Sequence, residues 1–329
     1  MNNNKYLIVY HLEDNDGVCS AALLKYYLLN NLHADINNIT LFPATYAILD
    51  KVAENNFSEF EVYDFLIMTD ISFNNFNYME VLFDMFGKNF VWIDHHAPII
   101  KTSEERKFDI KINGVRNIHK SAILNTYQYC FDEFNIKYNA GNAPAILVYL
   151  SAWDSWTTEQ EKLDFDKVRC VNTGFTSISK LNVDWWFEKM SRILDSEDYR
   201  YNDELIYEMY ELGKKINDEA DRRSEELVKN CGIGGFTVNG NRSCIVLFTS
   251  GPTSSLIFKT VRGEYDNAVC FKSSSTGNIT ISMYNVTDTH DFHCGNYLHD
   301  KYNGGGHEGA AGATISIDKF TEILKTKQI

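Results

Sequence analysis

The chain has 329 residues, enough for two domains each with its own core, and its hydrophobic fraction of 44% is ordinary for a globular protein. A formal net charge of -14 excludes a grip on long duplexes by phosphate neutralisation, which needs clustered Lys and Arg, and leaves short or locally held substrates. Seven scattered cysteines without a C-x-x-C pair exclude a disulfide frame or zinc knuckle, and no apolar run approaches the ~20 residues of a membrane span, so a cytoplasmic protein is expected.

The first half alternates short apolar runs with helical patterns, the form of a parallel sheet with helices on both faces. Tyr6 to Tyr10 predicts a strand, followed by a polar turn and a helix from Ser20 to Leu29. Ile39 to Phe42 predicts a second strand. Phe65 to Met68 predicts a third, ending at Thr69-Asp70, and Phe90 to Ile93 a fourth, ending at Asp94-His95-His96. Helical patterns follow around Lys120 to Phe134, Ala143 to Trp153 and Val183 to Leu194. A longer one runs from Asp203 to Asn230, with Leu205, Met209, Leu212, Ile216, Ala220 and Leu227 on one face; it suits a bridge between domains or a seam for a homodimer. The texture then turns to β, with strands at Phe236 to Val238, Ser243 to Phe248, Ala268 to Phe271 and Asn278 to Tyr284. A glycine-rich segment, Asn303 to Gly309, precedes a strand from Ala313 to Ile317 and a last helix from Asp318. The expected division is a domain over 1-200, a linking helix over 201-231 and a smaller mixed α/β domain over 232-329.

Four clusters carry metal-ligating groups. In His11-x-x-Asp14-x-Asp16-Gly17, carboxylates two apart in a tight turn can reach neighbouring cations, although Asp and Asn also cap helices at such βα turns. Asp70 alone reads equally as a cap or loop acid. Asp94-His95-His96 mixes imidazole and carboxylate, which suits Mn²⁺, Fe²⁺ or Zn²⁺ better than Ca²⁺ or Mg²⁺; the other reading is one structural and one surface histidine. Asp154 stands at a helix end between Trp153 and Trp156, which suit core packing or base stacking. Taken together, three successive strand ends deliver these groups to one edge of a parallel sheet, where such folds place their ligands. That set is sufficient for two cations sharing Asp70, and the chemistry such centres perform is phosphoester hydrolysis. Gly304-Gly305-Gly306-His307 is either an anion-binding loop or a flexible turn.

The segments HLEDNDGVCSAAL, FLIMTDIS, VWIDHHAP, AWDSW and YNGGGHEGAAG resemble, in order and over almost the whole chain, the DHH phosphoesterase superfamily, with its catalytic domain and smaller DHH-associated domain. The pattern is most similar to the nano-RNase and oligoribonuclease branch, related to RecJ exonucleases. The resemblance implies that His11, Asp14 and Asp70 hold one metal and that Asp16, Asp70, His95 and Asp154 hold the other, with Mn²⁺ at both. It implies that His96 meets the scissile phosphate or protonates the leaving oxygen, and that Gly304, Gly305, Gly306 and His307 bind the far end of the substrate. The implied activity is hydrolysis of short oligonucleotides, nanoRNA or short DNA, to mononucleotides. A cyclic mono- or dinucleotide phosphodiesterase and a non-catalytic nucleotide-binding protein are the alternatives. One departure stands out: where relatives carry an arginine before the glycine-rich loop, this chain reads Ser282-Met283-Tyr284-Asn285, leaving Arg262, Lys272 or His293 to compensate.

Overall fold

The computed structural model describes all residues except 1–2, 109–110, 135–142, 196–199, 251–253, 275–276, 288–291 and 307, so the assignment made to His307 lies outside the described residues. The chain divides into two compact units, Met1–Ile216 and Asn217–Ile329.

In the first unit, β1 (Tyr6–His11), β2 (Ile39–Ala44), β3 (Phe65–Thr69) and β4 (Phe90–Ile93) form a wholly parallel sheet in the order β2-β1-β3-β4. The strands are near-continuous apolar runs because both faces are covered. Tyr6, Ile8 and Tyr10 enter one core with Ile67, Val91 and Ile93, packed against α1 (Asn15–Asn30). Leu7 and Val9 enter the other with Leu66, Met68, Phe90 and Trp92, packed against α2 (Tyr46–Glu54) and α3 (Phe76–Phe86). The two-residue alternation of the strands assigns these faces. Burying each such side chain contributes about 1.5–3 kcal/mol, so the sheet is the rigid platform of the unit. The expected architecture, a parallel sheet with helices on both faces, is therefore observed.

After β4 come α4 (Ala97–Glu105), α5 (Ala122–Phe134), α6 (Ala145–Asp154), α7 (Phe165–Ser179), α8 (Val183–Asp195) and α9 (Arg200–Cys231). The boundary between the two units falls inside α9. Among the described residues, no helix is long and apolar enough to cross a membrane.

The second unit carries β5 (Ile233–Val238), β6 (Arg242–Phe248), β7 (Asn267–Ser273), β8 (Ile279–Asn285), α10 (Cys294–Tyr302), β9 (Gly305–Gly306), β10 (Ala310–Ile315) and α11 (Ile317–Thr326). Its mixed sheet has the order β5-β6-β7-β8-β10-β9; β6 and β7 pair in parallel and the other neighbours pair antiparallel.

Two expectations need correction. The first helix begins at Asn15, not Ser20, because Asp14 caps it by accepting from Gly17 N at 3.1 Å; Asp16 and Gly17 therefore lie in a helical turn and not in a loop. The glycine-rich segment is also not a slack turn. Gly305 and Gly306 pair with Gly312 and Ala311, and a Cβ on Gly306, whose φ is +145°, would run into Ala311.

Candidate metal centre

All four strands of the first sheet end on one edge. The chain order reverses at β1, whose two neighbours are β2 and β3, and ligands in such sheets collect at this switch point. His11 is the last residue of β1, Asp70 follows β3, and His95 and His96 follow β4.

Each side chain is held there by a local cause. Gly17 lets α1 start directly on top of β1, since a Cβ on it would collide with the His11 carbonyl oxygen. Asp16 points from the first turn of α1 to the N-terminus of α5. Its carboxylate accepts from Ser121 Oγ at 2.6 Å, Ala122 N at 2.7 Å and Ile123 N at 2.8 Å, satisfying free N–H groups at the positive end of that helix. Asp70 is buried and left-handed at φ +60°, a conformation Asp tolerates better than most residues; its N–H is fixed on Ile93 O at 3.0 Å. Asp154 is the last residue of α6.

These side chains converge. His11 Nδ1 lies 3.2 Å from Asp14 Oδ2 and 3.6 Å from Asp70 Oδ2. His95 Nε2 lies 3.3 Å from Asp70 Oδ1, 3.2 Å from Asp154 Oδ2 and 3.7 Å from Asp16 Oδ2. Three groups with cation-ligating geometry result: His11-Asp14-Asp70, Asp16-His95-Asp154 and Asp70-His95-His96. All six residues expected as ligands from the sequence are brought together, with His96 beside them. Gly304, Gly305 and Gly306 belong to the second unit. There a Cβ on Gly304 would meet Gly312, while Gly305 is exposed with open space around it.

The electrostatics call for cations. Burial first, then the charges of neighbouring carboxylates, push Asp16 and Asp70 up, and push Asp154 up to about 9. The facing Asp14 carboxylate, followed by Asp70, pushes His11 up to about 11. Three buried atoms, His11 Nδ1, Asp70 Oδ2 and Asp154 Oδ2, have no hydrogen-bond partner. Orphaned nitrogen and oxygen donors among mutually repelling acids fit divalent transition-metal ions.

Asp94 has a different task. It is fully buried, and its carboxylate accepts from Trp92 Nε1 at 2.9 Å, His95 N at 2.7 Å, His96 N at 3.1 Å and His96 Nδ1 at 2.7 Å. Four donors saturate it, so it orients His96 and is not among the ligating groups. Burial, the largest influence, disfavours charge on His96, yet the bond and charge of Asp94 with the charge of Asp70 together raise its pKa; burial likewise opposes charge on Asp94, which is nonetheless lowered by the bonds and charge of His96 together with Trp92. Sequence reasoning missed this role of Asp94, along with Ser121 and Trp92. Ser121 precedes a helical pattern as a capping residue would, but nothing in the sequence links it to Asp16.

In the second unit, Asn285 ends the stretch Ser282-Met283-Tyr284-Asn285, in which the resemblance implies an arginine. It donates to Phe292 O at 2.7 Å and to Glu308 O at 3.2 Å, and accepts from Asn267 Nδ2 at 2.8 Å. Of the three cations considered as substitutes, Arg262 and Lys272 are exposed, and His293 caps α10 by accepting from Asn296 N. The guanidinium beside this network is that of Arg242, whose Nε donates to Asn267 Oδ1 at 3.0 Å.

No protein-family model matches the sequence, and no curated protein matches it. Solved structures similar to the chain include an uncharacterized protein from Helicobacter pylori (14% identity, TM-score 0.40, covering 98% of this chain and 97% of that one). RecJ from Thermus thermophilus, solved with Mn²⁺, matches at 14% identity and TM-score 0.48, covering 99% of this chain and 51% of that one. PggH from Vibrio cholerae, a pGpG-specific phosphodiesterase, matches at 16% identity and TM-score 0.51, covering 98% of this chain and 97% of that one. The chain thus shares, over almost its whole length, the fold of PggH.

Proposed function

We propose that the protein is a two-metal-dependent phosphodiesterase that hydrolyses short oligonucleotides, nanoRNA or short DNA, to mononucleotides. The observation that carries this reading is the division of the Asp70 carboxylate. Oδ2 faces His11 and Asp14, while Oδ1 faces His95, which itself faces Asp16 and Asp154. In this reading His11, Asp14 and Asp70 hold one cation and Asp16, Asp70, His95 and Asp154 the other, with Mn²⁺ suited to the mixed donors.

His11, Asp14, Asp16, Asp70, His95 and Asp154 would hold the two cations, which when bound would supply Lewis acidity and lower the pKa of a water for phosphoester hydrolysis. The chain's own part is positioning and proton transfer. Asp70 fixes the spacing of the two ligand sets through its two oxygens. Asp94 holds His96 by Nδ1, so Nε2 is left to meet the phosphate or give a proton to the leaving oxygen. In the second unit, Gly304, Gly305, Gly306 and His307 are assigned to the substrate, on the resemblance of this segment to the family's glycine-rich motif.

Short substrates are favoured by the net charge of -14 and by the fold shared with a phosphodiesterase acting on pGpG. The test is turnover of purified protein on RNA and DNA of two to five nucleotides and on a cyclic dinucleotide, with Mn²⁺ or with chelator. Mn²⁺-dependent release of mononucleotides is expected. Absence of any turnover of the linear substrates overturns the reading, and turnover confined to the cyclic substrate replaces it.

A further inference from the structure

Asp154 closes α6, and the chain leaves that helix through Ser155, Trp156 and Thr157. Ser155 N donates to Ser151 O at 2.9 Å and Thr157 N to Ala152 O at 3.2 Å, a helix stop that puts the intervening residue in the left-handed region, where glycine or asparagine is usual. Trp156 occupies that position at φ +56°. A bulky side chain there carries a backbone cost. Burial does not recover it, because Trp156 remains 67% exposed.

The ring is nonetheless held in a defined place. Trp156 stacks on Trp153 with centroids 5.8 Å apart and on Phe165 at 6.1 Å, and Trp153 lies 6.0 Å from Phe165. Trp153 also lines a hollow of about 110 Å³ together with Asp14, Asp16 and Asp154. Trp153, the ring on which Trp156 stacks, therefore shares this hollow with carboxylates of the metal centre. Trp156 is two residues from Asp154, at most ~7 Å along the chain.

We propose that Trp156, backed by Trp153 and Phe165, is the stacking platform for the nucleobase beside the scissile phosphate. The inference rests on the nucleotide-cleaving reading above, and its test separates the two. A chain of net charge -14 holding a substrate with few phosphates gains little from phosphate contacts. An aromatic face supplies the hold instead, and it tolerates every base because each has a π-face.

Three proteins are compared, the wild type, Trp156→Gly and Trp156→Phe, with Mn²⁺, on the linear dinucleotide pApA and on the same compound lacking the base at the scissile nucleotide. Trp156→Gly is expected to raise KM for pApA roughly 5- to 150-fold, with a smaller change in kcat. The penalty should collapse on the abasic substrate, and Trp156→Phe should recover most of the loss. The melting temperature of Trp156→Gly should not fall, since glycine suits the left-handed position. In parallel, AMP is titrated against tryptophan emission, with quenching expected in the wild type and its loss in Trp156→Phe. Unchanged KM in Trp156→Gly, or a lower melting temperature with KM unchanged, overturns the platform. If the wild type cleaves no oligonucleotide the nuclease reading falls, and the AMP titration alone decides: quenching that disappears in Trp156→Phe upholds the platform, and no quenching overturns it.

Discussion

Replacing Asp94 by Asn tests the division of labour inside the Asp-His-His triplet. The asparagine is nearly isosteric, so its effects come from charge and from hydrogen-bond sense. Its oxygen can still accept from His96, but its amide nitrogen then confronts Trp92 Nε1, a donor that now bonds Asp94 Oδ2 at 2.9 Å. A buried donor left without an acceptor costs about 1–3 kcal/mol, and the loss of charge assistance on the 2.7 Å bond to His96 adds a comparable amount. Stability should therefore fall by about 2–5 kcal/mol, read as a lower midpoint in urea. For His96 the sign is clear. Burial is the largest influence and lowers its pKa, but the bond and charge of Asp94 with the charge of Asp70 together raise it, so removing the Asp94 charge lowers the pKa. If His96 acts as the acid, activity is lost as pH rises through that pKa, and in Asp94→Asn this loss moves to lower pH. At neutral pH kcat should fall about 10- to 100-fold, the usual effect of removing a group that orients a catalytic or ligating side chain. Bound Mn²⁺ should stay at wild-type stoichiometry, because Asp94 lies outside the ligating groups. An unmoved pH profile with kcat within a factor of two would sink the proposed role of His96, and a lost metal ion would show that Asp94 is itself a ligand.

Asp70→Asn should weaken both cations together, since its two oxygens face different histidines; elemental analysis showing one ion kept at full affinity would rule out bridging. In the metal-free protein at pH 7, His11, pushed up to about 11, and Asp154, pushed up to about 9, both carry protons. Mn²⁺ must displace them, so calorimetry in buffers of differing ionisation enthalpy should register at least about two protons released and an affinity that rises with pH. Asp154 also sets a stability trend. Its folded pKa lies above the unfolded value, so the metal-free fold binds this proton more tightly and loses stability as pH rises from about 4 towards 9. Melting temperatures with chelator and with Mn²⁺ should then diverge as pH increases, and parallel curves would contradict the buried-acid account. Gly17→Ala, which drives a Cβ into the His11 carbonyl, should cost about 1–3 kcal/mol and lower Mn²⁺ affinity; an unchanged urea midpoint would refute the close approach.

The four parallel strands were legible because each is an unbroken apolar run, and a run buried on both faces needs no alternation to stand out. Their ends were legible for a related reason, since charged residues directly after such runs have only the sheet edge to occupy. Helices α2, α3, α4 and α7 did not emerge. Helices α2 and α4 have only nine residues each, and α7 carries Asn172, Thr173, Gly174 and Thr176, all poor helix formers, so packing overrides its local preference. The early start of α1 was hidden because Asp14 and Asp16 read as loop acids, whereas one caps α1 itself and the other caps α5, more than a hundred residues away. Long-range capping leaves no local trace in a sequence.

The two adjacent histidines show what geometry adds to residue type. His95 turns Nε2 towards three carboxylates, Asp16, Asp70 and Asp154, which together can share a cation with it. His96 turns Nδ1 to Asp94, a carboxylate already saturated by donors, and that bond favours its charged form. Neighbouring identical side chains thus stand in different surroundings, set by which carboxylate each one meets, and Asp94 is fixed in place by Trp92 and the backbone N–H groups of both histidines. The buried acid of the triplet thus orients the second histidine, while the first faces the carboxylates with which it could hold a metal.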